Sequence, residues 1–161
     1  MADQPNILAC PKCNSKNISA FVSSGNIPSR GEVRDWQLAC RECKYAIDCL
    51  SSDGTEASAI RGWNNAVKEF HILNYLNENL CLSFDNGIEL YAFIESCNFK
   101  ERQLKLSLNA LTKAYKLEKL EYKACCVDGL KDGTKYSSYS ITEHGKEHLR
   151  RLKREFYTPN Y

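Results

Sequence analysis

Four cysteines in two Cys-x-x-Cys pairs are the residues whose types and spacing point most directly to chemistry. They are Cys10, Cys13, Cys40 and Cys43. Thiolates are soft ligands that suit Zn²⁺, and two such pairs supply the four ligands of a tetrahedral site. A redox dithiol and two coincidental pairs are the alternatives. We expect one structural Zn²⁺ per chain, because four protein ligands leave no open position for a substrate or water.

The other cysteines lack metal spacing, and the total of nine cannot be fully paired. Cys49 lies six residues after Cys43 and is a competing ligand in principle, but we expect it to be a small buried residue on a strand. The sequence has neither a secretory signal nor a long apolar segment, so we expect no membrane association. We therefore expect a cytoplasmic protein (in the host cytoplasm if it is phage-encoded), where disulfides are rare.

Short strands are predicted to bring the two pairs together. Residues 18–22 and 33–39 have strand character and flank a segment rich in turn-forming residues, and residues 45–49 are a third candidate strand. Thr55 is predicted to cap a following helix. A segment of this size has too little core to be stable alone, so metal binding would supply much of its folding free energy.

This first segment, residues 8–66, resembles the Lar-like restriction alleviation proteins. The resemblance rests on Cys-Pro-x-Cys at 10–13, Leu-Ala-Cys-Arg-Glu-Cys at 38–43, Glu-Ala at 56–57 and Trp-Asn at 63–64. It implies a zinc ribbon followed by a helix that ends in the Trp-Asn pair, in a family common in phages and prophages. From the residues alone, Trp63 is expected to be a core anchor.

The chain departs from that family pattern at several points. The family usually places Gly after each Cys-x-x-Cys, where a positive φ helps backbone amides to reach the sulfurs, and this chain has Asn14 and Lys44. The segment between the pairs is long, and Asn65 stands where Arg commonly follows Trp-Asn. The ribbon fold tolerates these changes better than the restriction-alleviation activity does.

From residue 66 onward the pattern becomes mostly helical. A first helix is followed by capping boxes at 86–89 and 98–101, which predict a second and a third helix. The third helix is predicted to bury Leu104, Leu108, Leu111 and Tyr115. Strand-like residues 120–127 and 135–141 flank two Asp-Gly dipeptides, which indicate a hairpin. Thr142 is predicted to cap a last helix with Leu149, Leu152 and Phe156 inward.

Residues 139–145, Tyr-Ser-Ile-Thr-Glu-His-Gly, resemble the Tyr-x-Leu-Thr-x-x-Gly end of the wing in MarR- and PadR-like regulators. The resemblance covers about residues 66–156 and implies a winged helix-turn-helix, whose third helix enters the major groove while the wing touches the DNA backbone. We therefore expect an α+β protein with a zinc-ribbon domain at 1–65 and a winged helix-turn-helix domain at 66–161.

The face of the third helix opposite its buried row carries side chains suited to DNA. Arg, Asn and Gln read base edges and Lys contacts phosphate. The candidate DNA-binding residues are Arg102, Gln103, Lys105, Asn109 and Lys113 on the helix, with Lys131 and Lys135 on the wing. Residues 98–161 hold fourteen basic and eight acidic residues, a balance of +6, although a solvated helix face is the alternative.

These patterns predict a non-catalytic, zinc-containing protein that binds double-stranded DNA, as a phage or prophage transcriptional regulator. The alternative is an anti-defence factor that binds and modulates a host restriction or other defence enzyme. Leu106, on the candidate reading face, either touches a thymine methyl or marks a protein interface. A homodimer through the first and last helices is a further expectation. No nucleophile–base pair, paired carboxylates or phosphate-binding glycine loop indicates an enzyme.

Overall fold

The computed structural model describes residues 6–27, 31–47, 54–79, 82–83, 93, 99–123 and 135–154. In these parts of the chain the protein is α+β, as expected, with three helices and two three-stranded sheets. Its contacts divide it into two compact units, Met1–Phe70 with Leu152–Tyr161, and His71–Arg151. We refer to these as the metal unit and the helical unit.

Nine strands and helices follow one another along the described parts of the chain. They are β1 (Ile18–Ile27), β2 (Gly31–Cys40), β3 (Ala46–Ile47), α1 (Glu56–Glu78), β4 (Leu82–Ser83), α2 (Glu101–Lys113), β5 (Leu117–Lys123), β6 (Lys135–Ile141) and α3 (Glu143–Lys153).

The sheet of the metal unit is antiparallel, in the order β1-β2-β3. Both hairpin strands are longer than predicted, because pairing continues from Ile18 opposite Cys40 to Ile27 opposite Gly31. Several of the turn-forming residues that suggested a loop therefore lie in paired strands: Ser23, Ser24, Gly25, Asn26 and Gly31. The third strand begins at Ala46, one residue later than predicted, and the last two residues of the predicted strand, Asp48 and Cys49, lie outside the described residues.

Helix α1 is continuous and includes both the helix predicted to begin at Thr55 and the one predicted from residue 66. The cap is confirmed, because the Ser58 N–H donates to Thr55 Oγ1 at 3.2 Å. Ile60 and Val67 are buried as predicted, but Ala57 is exposed. The buried side of this part of the helix also includes Ala59 and Trp63.

The sheet of the helical unit is antiparallel in the order β4-β6-β5. The hairpin expected in this part of the sequence is present, with β6 over the predicted residues and β5 beginning three residues earlier than predicted. Its two Asp-Gly dipeptides lie outside the described residues. So does the helix predicted after residue 86, except Phe93, which is helical and buried.

Helix α2 begins at Glu101 after Lys100, two residues later than the predicted capping box implies. Leu104, Leu108 and Leu111 are buried as predicted. The prediction for Tyr115 is wrong: its side chain is 82% exposed. The helix has already ended, and Tyr115 has a φ of 57°, which turns its side chain off the buried row.

Thr142 caps α3 as predicted, since its Oγ1 accepts a hydrogen bond from the Gly145 N–H at 3.0 Å. Leu149 and Leu152 are buried within the single chain, so neither offers an exposed surface to a second copy. Phe156 lies outside the described residues. The homodimer stays a prediction, without support from these two leucines.

Candidate metal centre and candidate nucleic-acid surface

Two turns of the same design carry the cysteine pairs. In the first, the Cys10 N–H donates to the Ser15 carbonyl at 2.8 Å and the Asn14 N–H donates to the Cys10 carbonyl at 2.9 Å. In the second, the Cys40 N–H donates to the Tyr45 carbonyl at 2.8 Å and the Lys44 N–H donates to the Cys40 carbonyl at 3.0 Å. In each turn, therefore, both backbone groups of the first cysteine are bonded to residues that follow the second cysteine, which closes the turn around the pair.

The residue after each Cys-x-x-Cys has a left-handed backbone conformation. Asn14 has a φ of 58° and Lys44 a φ of 60°. Glycine adopts this conformation without strain, asparagine tolerates it, and a long side chain such as lysine is disfavoured. Both turns therefore require the positive φ that favours Gly, and in this chain Asn14 and Lys44 adopt it.

The hairpin brings the two turns together, and side chains then connect them. The Arg41 N–H donates to the Asn17 carbonyl at 2.9 Å. The Asn17 side-chain amide donates to Glu42 Oε1 at 3.0 Å. One bond uses backbone atoms and the other uses side chains, so the second turn is held against the chain that leaves the first.

The four cysteine sulfurs form one cluster. All four lie within 4.8 Å of one another and none is in a disulfide. Cys10 Sγ is 3.6 Å from Cys43 Sγ, and Cys13 Sγ is 3.5 Å from Cys40 Sγ. Four sulfurs placed tetrahedrally around Zn²⁺ at about 2.3 Å would be about 3.8 Å apart. The cluster therefore fits a single bound metal ion.

The surroundings shift the pKa values of three of the thiols, those of Cys10, Cys40 and Cys43, in different directions. Burial raises the pKa of Cys10, outweighing the backbone N–H of Cys13. Burial also opposes ionisation of Cys40, but the backbone N–H of Cys43 and the Cys13 thiol lower its pKa to about 7. Burial raises the pKa of Cys43. A bound cation would favour the thiolate form of every member of the cluster.

Trp63 and Asn64 hold the segment that enters the first turn. Trp63 is fully buried, which confirms it as a core anchor, and its Nε1–H donates to the Leu8 carbonyl at 2.9 Å. The Asn64 side chain accepts from the Leu8 N–H at 2.8 Å and donates to the Asn6 carbonyl at 2.8 Å. The Trp-Asn pair thus fixes the chain two residues before Cys10.

The predicted DNA-binding residues of α2 are all exposed: Arg102, Gln103, Lys105, Asn109 and Lys113. Neither Arg102 nor Lys113 forms an ion pair with any residue in the described part of the chain. Leu106 lies among them with 62% of its surface exposed. The structure therefore places these side chains on one solvent-facing side of the helix.

Two of these side chains already have partners within α2. Lys105 Nζ lies 2.8 Å from Glu101 Oε1, one turn earlier. Gln103 Oε1 accepts a hydrogen bond from the Lys100 N–H at 3.3 Å, so this side chain serves the helix N-terminus. On the hairpin, Lys135 is the first residue of β6, while Lys131 lies outside the described residues.

The end of the wing-like motif has structural roles that sequence reasoning did not assign. Thr142 Oγ1 donates to the Tyr115 carbonyl at 2.7 Å and lies 3.0 Å from the Lys116 carbonyl oxygen. A Cβ on Gly145 would lie 2.2 Å from that Lys116 oxygen. The signal in the sequence was the Thr-x-x-Gly spacing: Thr caps α3 while Gly permits close approach of the turn after α2.

Within the described ranges, no helix is both long and apolar enough to cross a membrane. No family model, curated protein or solved structure matches the chain.

Proposed function

We propose that this protein binds double-stranded DNA through α2, as a small regulator of transcription, and that a structural Zn²⁺ stabilises its metal unit. The observation that carries the proposal is the exposed face of α2, where Arg102, Asn109 and Lys113 follow one another at helical spacing opposite the buried leucines. Arg and Asn are suited to base edges and Lys to phosphate.

The length and surroundings of α2 support this docking. Its 13 residues span about 20 Å, enough to lie along a stretch of major groove. A helix followed by an antiparallel hairpin and then by a Thr-capped helix is the order that the winged-helix resemblance implies. In that arrangement the hairpin would contact the backbone beside the groove.

The chemistry of the donor set supports zinc in the metal unit. A site made of four sulfurs selects Zn²⁺ or an iron–sulfur cluster, and Zn²⁺ has no redox chemistry to perform. Four protein ligands leave no position for a reactant, so the ion would act through stability. The four thiolates with Zn²⁺ carry a local charge of about −2.

The test is a titration of mixed-sequence duplex DNA at low and at moderate salt. A groove-binding protein keeps nonspecific affinity at low salt and loses it steeply as salt rises. Arg102→Ala and Asn109→Ala are each expected to lose about 1–3 kcal/mol of discrimination on a selected site. Lys113→Ala is expected to weaken all sequences alike and to lower the salt slope by about one.

The matched control is Lys16→Ala, which removes one exposed cation from the metal unit and leaves α2 unaltered. It is expected to change neither discrimination nor the salt slope by as much as Lys113→Ala does. Absence of DNA retention by the unaltered protein at low salt would overturn the DNA-binding proposal.

The exposure of Leu106 supports a second candidate, binding to a host restriction or other defence protein. A leucine that is 62% exposed between Arg102 and Lys113 suits a desolvated apolar anchor at an interface. In that case Leu106→Ala would be the most damaging change on α2, and salt would matter little. Leu120→Ala, at a leucine that is 46% exposed on β5, is the matched control.

A further inference from the structure

Tyr115 combines backbone strain with an exposed aromatic side chain. Its φ of 57° is disfavoured for a bulky residue, and 82% of its surface is exposed. The side chain makes no hydrogen bond or ring contact with any residue that the structure describes. Among the described residues, therefore, no hydrogen bond or ring contact of the side chain offsets the backbone strain.

The strain arises because the backbone at this point is fully engaged. The Tyr115 N–H donates to the Thr112 carbonyl at 3.0 Å, and the next N–H, from Lys116, donates to the Leu111 carbonyl at 2.9 Å. This pair of bonds is the Schellman motif, whose left-handed position is usually Gly and sometimes Asn. The Thr142 hydroxyl holds the Tyr115 carbonyl at 2.7 Å, which fixes the turn from the side of α3.

The other left-handed residues have local reasons for their identity. Asn14 is of a type that tolerates the conformation. Lys44 places a cation in the turn that carries two of the clustered thiols, where a positive charge is favourable. Tyr115 has neither property, and strain of this kind concentrates at functional positions.

We propose that Tyr115 is a DNA-backbone contact, whose hydroxyl donates a hydrogen bond to a phosphate oxygen at the C-terminal end of α2. The inference rests on the proposed function. Tyrosine is among the side chains that bind phosphate oxygens, and Lys113, two residues earlier, adds a cation at the same end of the helix. Opposite, at the N-terminal end, Arg102 is exposed, so the helix would be held at both ends.

Two variants separate the side chain from the backbone. Tyr115→Asn relieves the strain and removes the hydroxyl and ring, so it is expected to raise the melting temperature by about 2–5 °C and to weaken binding to mixed duplex DNA about threefold to tenfold. Tyr115→Phe keeps the ring and the strain and removes only the hydroxyl. It is expected to leave the melting temperature unchanged and to weaken binding to a similar degree.

The salt dependence separates a neutral hydroxyl contact at Tyr115 from a cationic phosphate contact. Because the tyrosine hydroxyl is neutral, both variants are expected to keep the salt slope of the unaltered protein, whereas Lys113→Ala lowers it by about one. Wild-type affinity for mixed duplex DNA in both Tyr115 variants, with Lys113→Ala still impaired, would overturn this inference alone. No binding by the unaltered protein at low salt would overturn it together with the proposed function.

Discussion

The metal unit and the helical unit hold their interiors together in different ways. In the metal unit, two of the clustered cysteines are themselves buried, and Trp63 donates one hydrogen bond to the entering chain. In the helical unit, the buried side chains of α2 are leucines at helical spacing. Apolar packing is distributed over many contacts, whereas a four-ligand centre concentrates its stabilisation in a few atoms. Single substitutions should therefore have unequal effects in the two units.

The largest effect is expected from Cys40→Ser, which removes a buried thiol of the cluster. Structural zinc sites contribute about 10–16 kcal/mol of apparent binding free energy, so the metal unit should unfold. The amides of α2 should keep their protection from hydrogen exchange, because their leucine row is untouched. Elemental analysis of the unaltered protein is expected to give one equivalent of zinc per chain.

Elemental analysis and hydrogen exchange can also contradict the proposed difference between the metal unit and the helical unit. Less than half an equivalent of zinc in carefully purified protein would count against a zinc centre. Uniform loss of amide protection throughout both units of Cys40→Ser would mean that they fold as one. Removal of the metal by a chelator should reproduce the pattern of the variant.

The next effect is expected from Trp63→Ala, which deletes the largest buried side chain of the metal unit. The expected loss in the free energy of unfolding is about 3–5 kcal/mol, because a cavity forms and the Leu8 carbonyl loses its donor. Trp36→Ala, at a tryptophan on β2 that is only half-buried, is the matched control. Denaturant unfolding of the metal-loaded variants measures the free energy of unfolding of each. An equal loss in Trp63→Ala and Trp36→Ala would contradict the role of Trp63 as the core anchor.

A smaller effect is expected from Gly145→Ala in the helical unit. The added methyl would meet the Lys116 carbonyl at 2.2 Å, so the turn after α2 and the start of α3 must separate. Overpacking of this kind costs about 1–3 kcal/mol. His144→Ala, at the exposed neighbouring position, should change the free energy of unfolding by much less, as thermal unfolding can show. An equally stable Gly145→Ala variant would contradict the close approach.

The smallest effect, with the opposite sign, is expected from Lys44→Gly. Relief of left-handed strain is worth about 1–2 kcal/mol, while an exposed cation near a charged centre contributes about 0–1 kcal/mol. The variant should therefore gain about 0.5–1 kcal/mol in the free energy of unfolding of the metal-loaded protein. Asn14→Gly, measured in the same way, should gain less because Asn tolerates the conformation. A loss of stability in Lys44→Gly would mean that the charge outweighs the strain.

The sequence was most informative where spacing and chemistry agree. The two Cys-x-x-Cys pairs predicted the sulfur cluster, and the apolar period of α2 predicted its three buried leucines. The two capping threonines were also identified correctly, since each is followed by a periodic helix. The α+β class follows from these elements.

The missed features depend on contacts between segments distant in sequence. Helical periodicity places Tyr115 on the buried row, and only the carbonyl partners of the turn show that the helix has ended before it. The polar bonds of Asn64 to the entering chain link residues more than fifty positions apart. The strands of the first hairpin are longer than their composition suggests, because pairing can override weak strand propensity.

The length of that hairpin has a consequence for how the metal-binding segment can vary. Twenty-six residues separate Cys13 from Cys40, but β3 pairs only with Leu38 and Ala39, at the end of β2 nearest the cysteines. Residues removed in equal numbers from the distal parts of β1 and β2 would leave Ile18 opposite Cys40 and the sulfurs in place. An odd change would instead demand a bulge or a different connection. The spacer between the pairs can thus change length at its distal end, by two residues for each strand pair removed or added, without moving the sulfurs.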